Sequence, residues 1–198
     1  MLTSLGIKSG VNFAKISVTQ STGLVSIIES SNQVGFNGGL VFKHIGESNP
    51  PIGIQIELNF SQRGWHETSD SISDFYSRKQ SYLELPILTN ITFFKNQKLK
   101  GIVNIGLNLA YLISDKESTN SDAPVSRSYY NQDVNNKIDY GVALGGGFNY
   151  DFKASSLQLE LRYYRALSDL FEPNDEFSTL QHQIIGLNLT YFFWVKRY

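Results

Sequence analysis

The sequence predicts an all-β fold: one antiparallel sheet of eight strands, running up and down and closed into a transmembrane barrel with its apolar face on lipid. Three observations lead there. First, Ile52 to Arg63 puts Ile52, Ile54, Ile56, Leu58 and Phe60 on one face and Gly53, Gln55, Glu57, Asn59, Ser61 and Arg63 on the other. This period-two pattern recurs about eight times, and no segment reads as a helix that would cover the apolar face. Second, long and short connectors alternate along the chain. Third, no apolar run approaches the ~20 residues of a membrane helix, so the apolar faces reach lipid only through closed strands.

The first strand, near Leu5 to Ala14, sets Leu5, Ile7, Val11 and Phe13 against Gly6, Lys8, Gly10 and Asn12. A polar segment from Ser17 to Gln33 follows, and its Leu24, Val25, Ile27 and Ile28 suit a fold over the barrel mouth. The second strand, Val34 to Lys43, turns Val34, Phe36, Leu40 and Phe42 outward. Gly46 to Pro51 is a turn by its composition, and the third strand is the stretch described above. After a segment from Gly64 to Ser77, the fourth strand runs from Lys79 to Phe93, with Leu83, Leu85, Ile87 and Ile91 out and Glu84, Asn90 and Thr92 in. Pro86 lies in its inward register and cannot donate to a ladder, so a bulge or a locally broken pair is expected there.

A short turn at Lys95 to Lys98 leads to the fifth strand, Leu99 to Tyr111, and then to a Ser-, Asn- and Asp-rich insertion from Ser114 to Lys137. The sixth strand spans Ile138 to Tyr150. In the seventh, Leu157, Leu159, Leu161 and Tyr163 alternate with Gln158, Glu160, Arg162 and Tyr164. A fourth long segment, Leu167 to Leu180, precedes the eighth strand, Gln181 to Phe193, and residues 194–198 read as a tail. The 198 residues show no linker or composition break and form one domain. Long connectors follow strands one, three, five and seven. All of them therefore lie at one end, with short turns and both termini at the other, the asymmetry of bacterial outer-membrane barrels with long loops extracellular and termini periplasmic.

Composition narrows the function classes. Net charge is −1 with no basic stripe, which excludes the footprint of a nucleic-acid binder. Hydrophobic content is 41% and mean hydropathy is slightly negative, as expected when only every second strand residue meets lipid. Tyr 11 and Phe 13 supply aromatics for interfacial girdles. Cysteine is absent, so no disulfide framework or thiolate site exists. No leader-like stretch precedes the first strand, and the chain is read as the mature part of an exported protein.

Several blocks resemble the PorT-like outer-membrane β-barrel proteins of the Bacteroidetes. They are G-I-K-S-G-V-N-F at Gly6 to Phe13, G-F-N-G-G-L at Gly35 to Leu40, I-E-L-N-F-S-Q-R-G at Ile56 to Gly64 and Y-L-E-L-P at Tyr82 to Pro86. N-I-G-L-N-L-A-Y-L at Asn104 to Leu112, D-Y-G-V-A-L-G-G-G at Asp139 to Gly147 and L-E-L-R-Y-Y-R-A-L at Leu159 to Leu167 are similar too. The resemblance covers nearly the whole chain outside the four long connectors. It implies an eight-stranded outer-membrane barrel and, through the member that names the family, a link to type IX protein secretion. L-T-Y-F-F at Leu189 to Phe193 fits a terminal aromatic signal, and Trp194 to Tyr198 departs from the pattern by running past it.

Lys8, Glu57, Arg63, Glu84, Glu160 and Arg162 fall on inward faces. Eight strands enclose a space that side chains can fill, so these charges are expected to pair as a polar plug that closes the lumen. Glu57 and Glu84 on neighbouring strands suit such a network with Arg162 better than an acid pair for catalysis. His44, His66 and His182 lack metal spacing, and no cofactor or metal site is expected. The one crude arrangement for a lipid hydrolase is His182 with Ser168 or Ser178. Trp65, Phe75, Tyr76, Tyr129, Tyr130, Leu170 and Phe171 fall in the long connectors, as loop anchors for a partner or as girdle residues. The expected function is a non-enzymatic barrel embedded in outer-membrane lipid, an accessory or anchoring component that binds one or more envelope proteins. A lipid-modifying enzyme is the alternative in a different class. A soluble barrel around an apolar ligand has its faces the wrong way round.

Overall fold

The computed structural model describes residues 1–20, 30–68, 75–94, 98–119, 132–134, 136–172 and 177–197. Eight strands follow in order: β1 (Leu2–Gln20), β2 (Ser30–Ile45), β3 (Ile52–Thr68), β4 (Phe75–Phe93), β5 (Leu99–Thr119), β6 (Ile138–Asp151), β7 (Ser156–Ala166) and β8 (Phe177–Arg197). Each pairs antiparallel with its sequence neighbours, and β8 pairs with β1 from Leu2↔Arg197 to Gln20↔Phe177, closing the barrel. Closure gives every strand a partner on both sides, which a sheet in lipid requires.

The outward residues form an apolar belt. On β3 it runs from Ile52 to Phe60, on β1 from Leu5 to Phe13 and on β8 from Ile185 to Phe193, with alternate residues exposed or part-exposed. These spans match the ~9–11 residues of a tilted transmembrane strand. Exposed aromatics mark the belt's ends: Phe93, Tyr150, Phe152 and Trp194 towards the short turns, and Phe13, Phe36, Tyr111 and Tyr140 towards the other end.

Most strands are longer than the sequence pattern suggested, chiefly at the end with the long connectors. β1 continues to Gln20, β3 to Thr68 and β5 to Thr119, while β4 starts at Phe75 and β8 at Phe177. The reason lies in the outward register, which turns polar there at Lys15, Gln62, His66, Lys79 and Lys116. Strands that rise out of the belt need no apolar outer face, so their projecting parts read as loop. Inside this collar the register becomes apolar, and Ile16, Trp65, Tyr76, Tyr82, Leu112 and Leu180 pack together. The barrel is thus apolar outside and largely polar inside within the belt, and above it polar outside with an apolar cluster packed around Arg78 and His182 inside.

Residues 194–197 are not a tail. Trp194 pairs with Leu5 and Arg197 with Leu2. A bulge explains the misreading: Gly6 faces Phe192 and Leu5 faces Trp194, so Phe193 is the extra residue and both aromatics point outward. A second bulge, at Ile113 on β5, turns Asp115 inward, because Tyr82 faces Leu112 while Ser81 faces Ser114. At Pro86 the β3–β4 ladder lapses between Ile56↔Ile87 and Asn59↔Glu84 without a register shift, the broken pair expected of a residue without an N–H.

Candidate functional site: the filled lumen and its open end

Within the belt the lumen is built from inward residues of all eight strands, stacked in layers. Glu57 is the hub. It accepts from Lys8 Nζ at 2.5 Å, from Arg162 Nη1 and Nη2 at 2.9 and 2.7 Å, from Gln55 Nε2 at 2.6 Å and from Asn59 Nδ2 at 2.9 Å. Arg162 also donates to Glu160 through Nε at 2.8 Å and Nη2 at 2.9 Å. A second layer centres on Arg63, whose Nη2 and Nε reach Glu84 Oε1 at 2.6 and 3.0 Å and whose Nη1 bonds Asp139. Its guanidinium lies between the rings of Tyr82 and Tyr164, 4.5 and 4.8 Å from their centroids. Charges removed from water this completely are tolerable only when paired and hydrogen-bonded. The void between the two layers measures about 40 Å³, room for about three water molecules.

Above the Arg63 layer, His182 Nε2 lies 2.9 Å from Gln80 Oε1, and its ring meets Trp65 and Tyr82 edge-on. Higher still, Arg78 pairs with Asp115 at 2.5 Å and with Glu117 at 2.7 Å, and donates to the Gln132 carbonyl at 2.6 Å. Its guanidinium lies 5.1 Å from the Phe171 ring centroid. Val134, Leu170 and Phe171, from the segments after β5 and β7, are buried in the same cluster, so these three side chains cork the mouth among the described residues.

All six inward charges read from the sequence are in the lumen and paired. Glu57 and Glu84 do not share a cation: Glu57 takes Lys8 and Arg162, and Glu84 takes Arg63. The aromatic positions need correction. Trp65 is 0% exposed and Tyr76, Leu170 and Phe171 are each 3% exposed, so these four form the cork and are no exposed anchors. Phe75 begins β4. Tyr129 and Tyr130 lie outside the described residues, as do Leu24, Val25, Ile27 and Ile28. The His182–Ser168 arrangement does not form either: Ser168 donates to Asp139 Oδ1 at 2.5 Å, and His182 faces the lumen and bonds Gln80. Nothing is described of the Ser178 side chain. Asp139 and Arg78 were missed. Asp139 was in the inward phase of β6 among glycines and alanine, and Arg78 lay one residue before the strand's apparent start. Among the described residues, no group of His, Cys, Asp and Glu is placed to hold a metal ion.

At the short-turn end the filling stops. Lys43 Nζ donates to Gln158 Oε1 at 2.7 Å, and below it a vestibule of about 1180 Å³ opens between the turns.

A closed barrel with an apolar belt outside and ion pairs inside defines an integral membrane protein of the outer-membrane class. This chain belongs to the outer membrane protein beta-barrel domain family, whose profile matches residues 3–172, and its place is the bacterial outer membrane. Among solved structures it is similar to the outer membrane protein OprG from Pseudomonas aeruginosa, at 11% identity and a TM-score of 0.53 over 98% of this chain and 92% of that one. It is also similar to the outer membrane enzyme PagL, at 12% identity and a TM-score of 0.51 over 90% of this chain and 97% of that one. At such identities the likeness concerns the fold alone. No curated protein matches the sequence.

Proposed function

We propose that this chain is a non-catalytic, non-conducting barrel that serves as an anchoring or accessory component of an envelope assembly. The observation that carries the reading is the filled lumen. The Glu57 and Arg63 layers leave about 40 Å³ between them, and Val134, Leu170 and Phe171 cork the mouth above. A conducting path needs a wetted pore lined by groups that bind weakly enough to release the ion, whereas these charges are locked to one another. The reading takes the corked end as extracellular and the short turns and termini as periplasmic, the arrangement usual for bacterial barrels. Lipid surrounds the belt, and the partners are one or more envelope proteins. The seven blocks that resemble PorT-like barrels of the Bacteroidetes favour an assembly connected with type IX secretion.

The experiment is affinity purification from the native outer membrane in mild detergent, with partners identified by mass spectrometry. A protein recovered in near-equal amount is the expected result, and a barrel that comes out alone overturns the reading.

A further inference from the structure

The vestibule at the short-turn end is built differently from the rest of the lumen. Its walls include Ile45, Ile102 and Phe152, and its cations are graded by depth: Lys98 and Lys153 at the rim, Lys100 part way in and Lys43 at the roof. Lys100 is paired with Asp151 at 2.5 Å, while Lys98 and Lys153 are exposed and make no ion pair among the described residues.

Lys43 is the unusual one. Lys8, Arg63, Arg78 and Arg162, the other deeply buried cations described, each hold a carboxylate. Lys43 is 2% exposed, donates once to the amide oxygen of Gln158, lies 4.1 Å from the Phe192 ring centroid and has no ion pair among the described residues. An ammonium has three donors, and burying one without an anion is costly. Those unused donors stand at the roof of the one large cavity described.

We propose that the vestibule is the docking site for an acidic peptide segment of the partner protein, with Lys43 receiving its deepest carboxylate. The inference rests on the accessory reading above and names where the partner is held. Three features favour a peptide. The volume exceeds the ~300–1,000 Å³ usual for small-molecule pockets. Cations spaced from rim to roof suit a chain with several acids better than a single headgroup. The wall beside the vestibule is paired at three seams, with Leu2 opposite Ile45, Leu99 opposite Tyr150 and Asp151 opposite Ser156, which disfavours lateral entry of a bilayer lipid there.

The test uses the full chain in detergent and a synthetic peptide of about ten residues alternating Glu and Leu, fluorescent at its N-terminus and free at its C-terminus. The acidic peptide is expected to bind with an affinity that falls with salt, and a Gln-for-Glu amide to bind at least about tenfold more weakly. Lys43→Met should weaken binding by about thirtyfold or more, while Lys116→Gln, at the far end of the barrel, leaves it unchanged. Should Lys43→Met not fold, Ile102→Trp, which occupies the cavity without removing a charge, is expected to abolish binding. Equal binding of both peptides, full-strength binding by Lys43→Met or by folded Ile102→Trp, or ready displacement of the peptide by phosphatidylglycerol in mixed micelles overturns the proposal. The two readings fail separately. A partner that co-purifies equally with the parent and with folded Lys43→Met removes the vestibule and leaves the accessory role. Peptide binding by a barrel that purifies alone does the opposite.

Discussion

Glu57 receives hydrogen bonds from Lys8, Gln55, Asn59 and both terminal nitrogens of Arg162, more than any other carboxylate described in the lumen. Glu57→Gln would leave Lys8 without its carboxylate and Arg162 with Glu160 alone. The expected loss is about 3–5 kcal/mol, the usual cost of breaking a buried pair from one side, read by urea unfolding of the barrel in lipid vesicles. Adding Lys8→Met should lose less than the sum of the single changes, because it removes the ammonium that the first change strands. A loss within ~1 kcal/mol for Glu57→Gln would show that water, not Glu57, satisfies these cations. For His182 the expectation concerns packing and chemistry together: His182→Ala lowers stability and leaves the lipid composition of the outer membrane as in the parent strain, checked by mass spectrometry of extracted lipids. At this scale the sequence was informative wherever a charge sat in an otherwise polar inward register, as Lys8, Glu57, Glu160 and Arg162 do. It was uninformative where the register changed character. Trp65 continues the inward phase of Arg63, but an aromatic after five polar inward positions reads as the start of a loop.

Among the strands, the β2–β3 seam has the longest lapse described. Pairing lapses between Asn32↔Trp65 and Asn37↔Ser61, which leaves the Gln62 carbonyl without a ladder partner. Asn12 on β1 reaches across β2 to supply one: its Nδ2 donates to Gln62 O at 3.1 Å and to Ser61 Oγ at 2.9 Å, while Asn37 Nδ2 holds its Oδ1 at 2.7 Å. Gly35 makes the crossing possible, since a Cβ there would come within 2.5 Å of the same carbonyl. Asn12→Ala should therefore cost about 1–3 kcal/mol and speed hydrogen exchange along β2–β3 while β5–β6 amides stay protected. Uniform acceleration over the whole barrel would contradict this local role. Trp65→Ala should cost about 3–5 kcal/mol, as large core truncations do. The strand cores were legible because lipid imposes strict alternation on them; the collar and the end of β8 were not. In the collar the outward polar face removes the signal, and at Phe193 the bulge puts two adjacent aromatics on one face and breaks the period that defines a strand.

The whole molecule is a barrel with two ends of different kinds. Above the belt its strands return to the patterning of a water-soluble protein, and Arg78 ties β5, Gln132 and Phe171 into a cork. Through the belt, paired charges fill the lumen; below Lys43 it opens into the vestibule. This asymmetry follows from eight strands whose outward faces must match lipid over one short span and are free elsewhere. It is also why function was the least legible layer: period-two alternation reports the solvent on each face, and says nothing about whether inward groups meet one another or leave space. The central claim, that the lumen is closed, is tested most directly by current recordings of the purified barrel in a planar lipid bilayer under an applied voltage. A baseline without steady steps is the expected result. Steady, large unitary steps from the parent chain would show an open path past Glu57 and Arg63 and contradict the account.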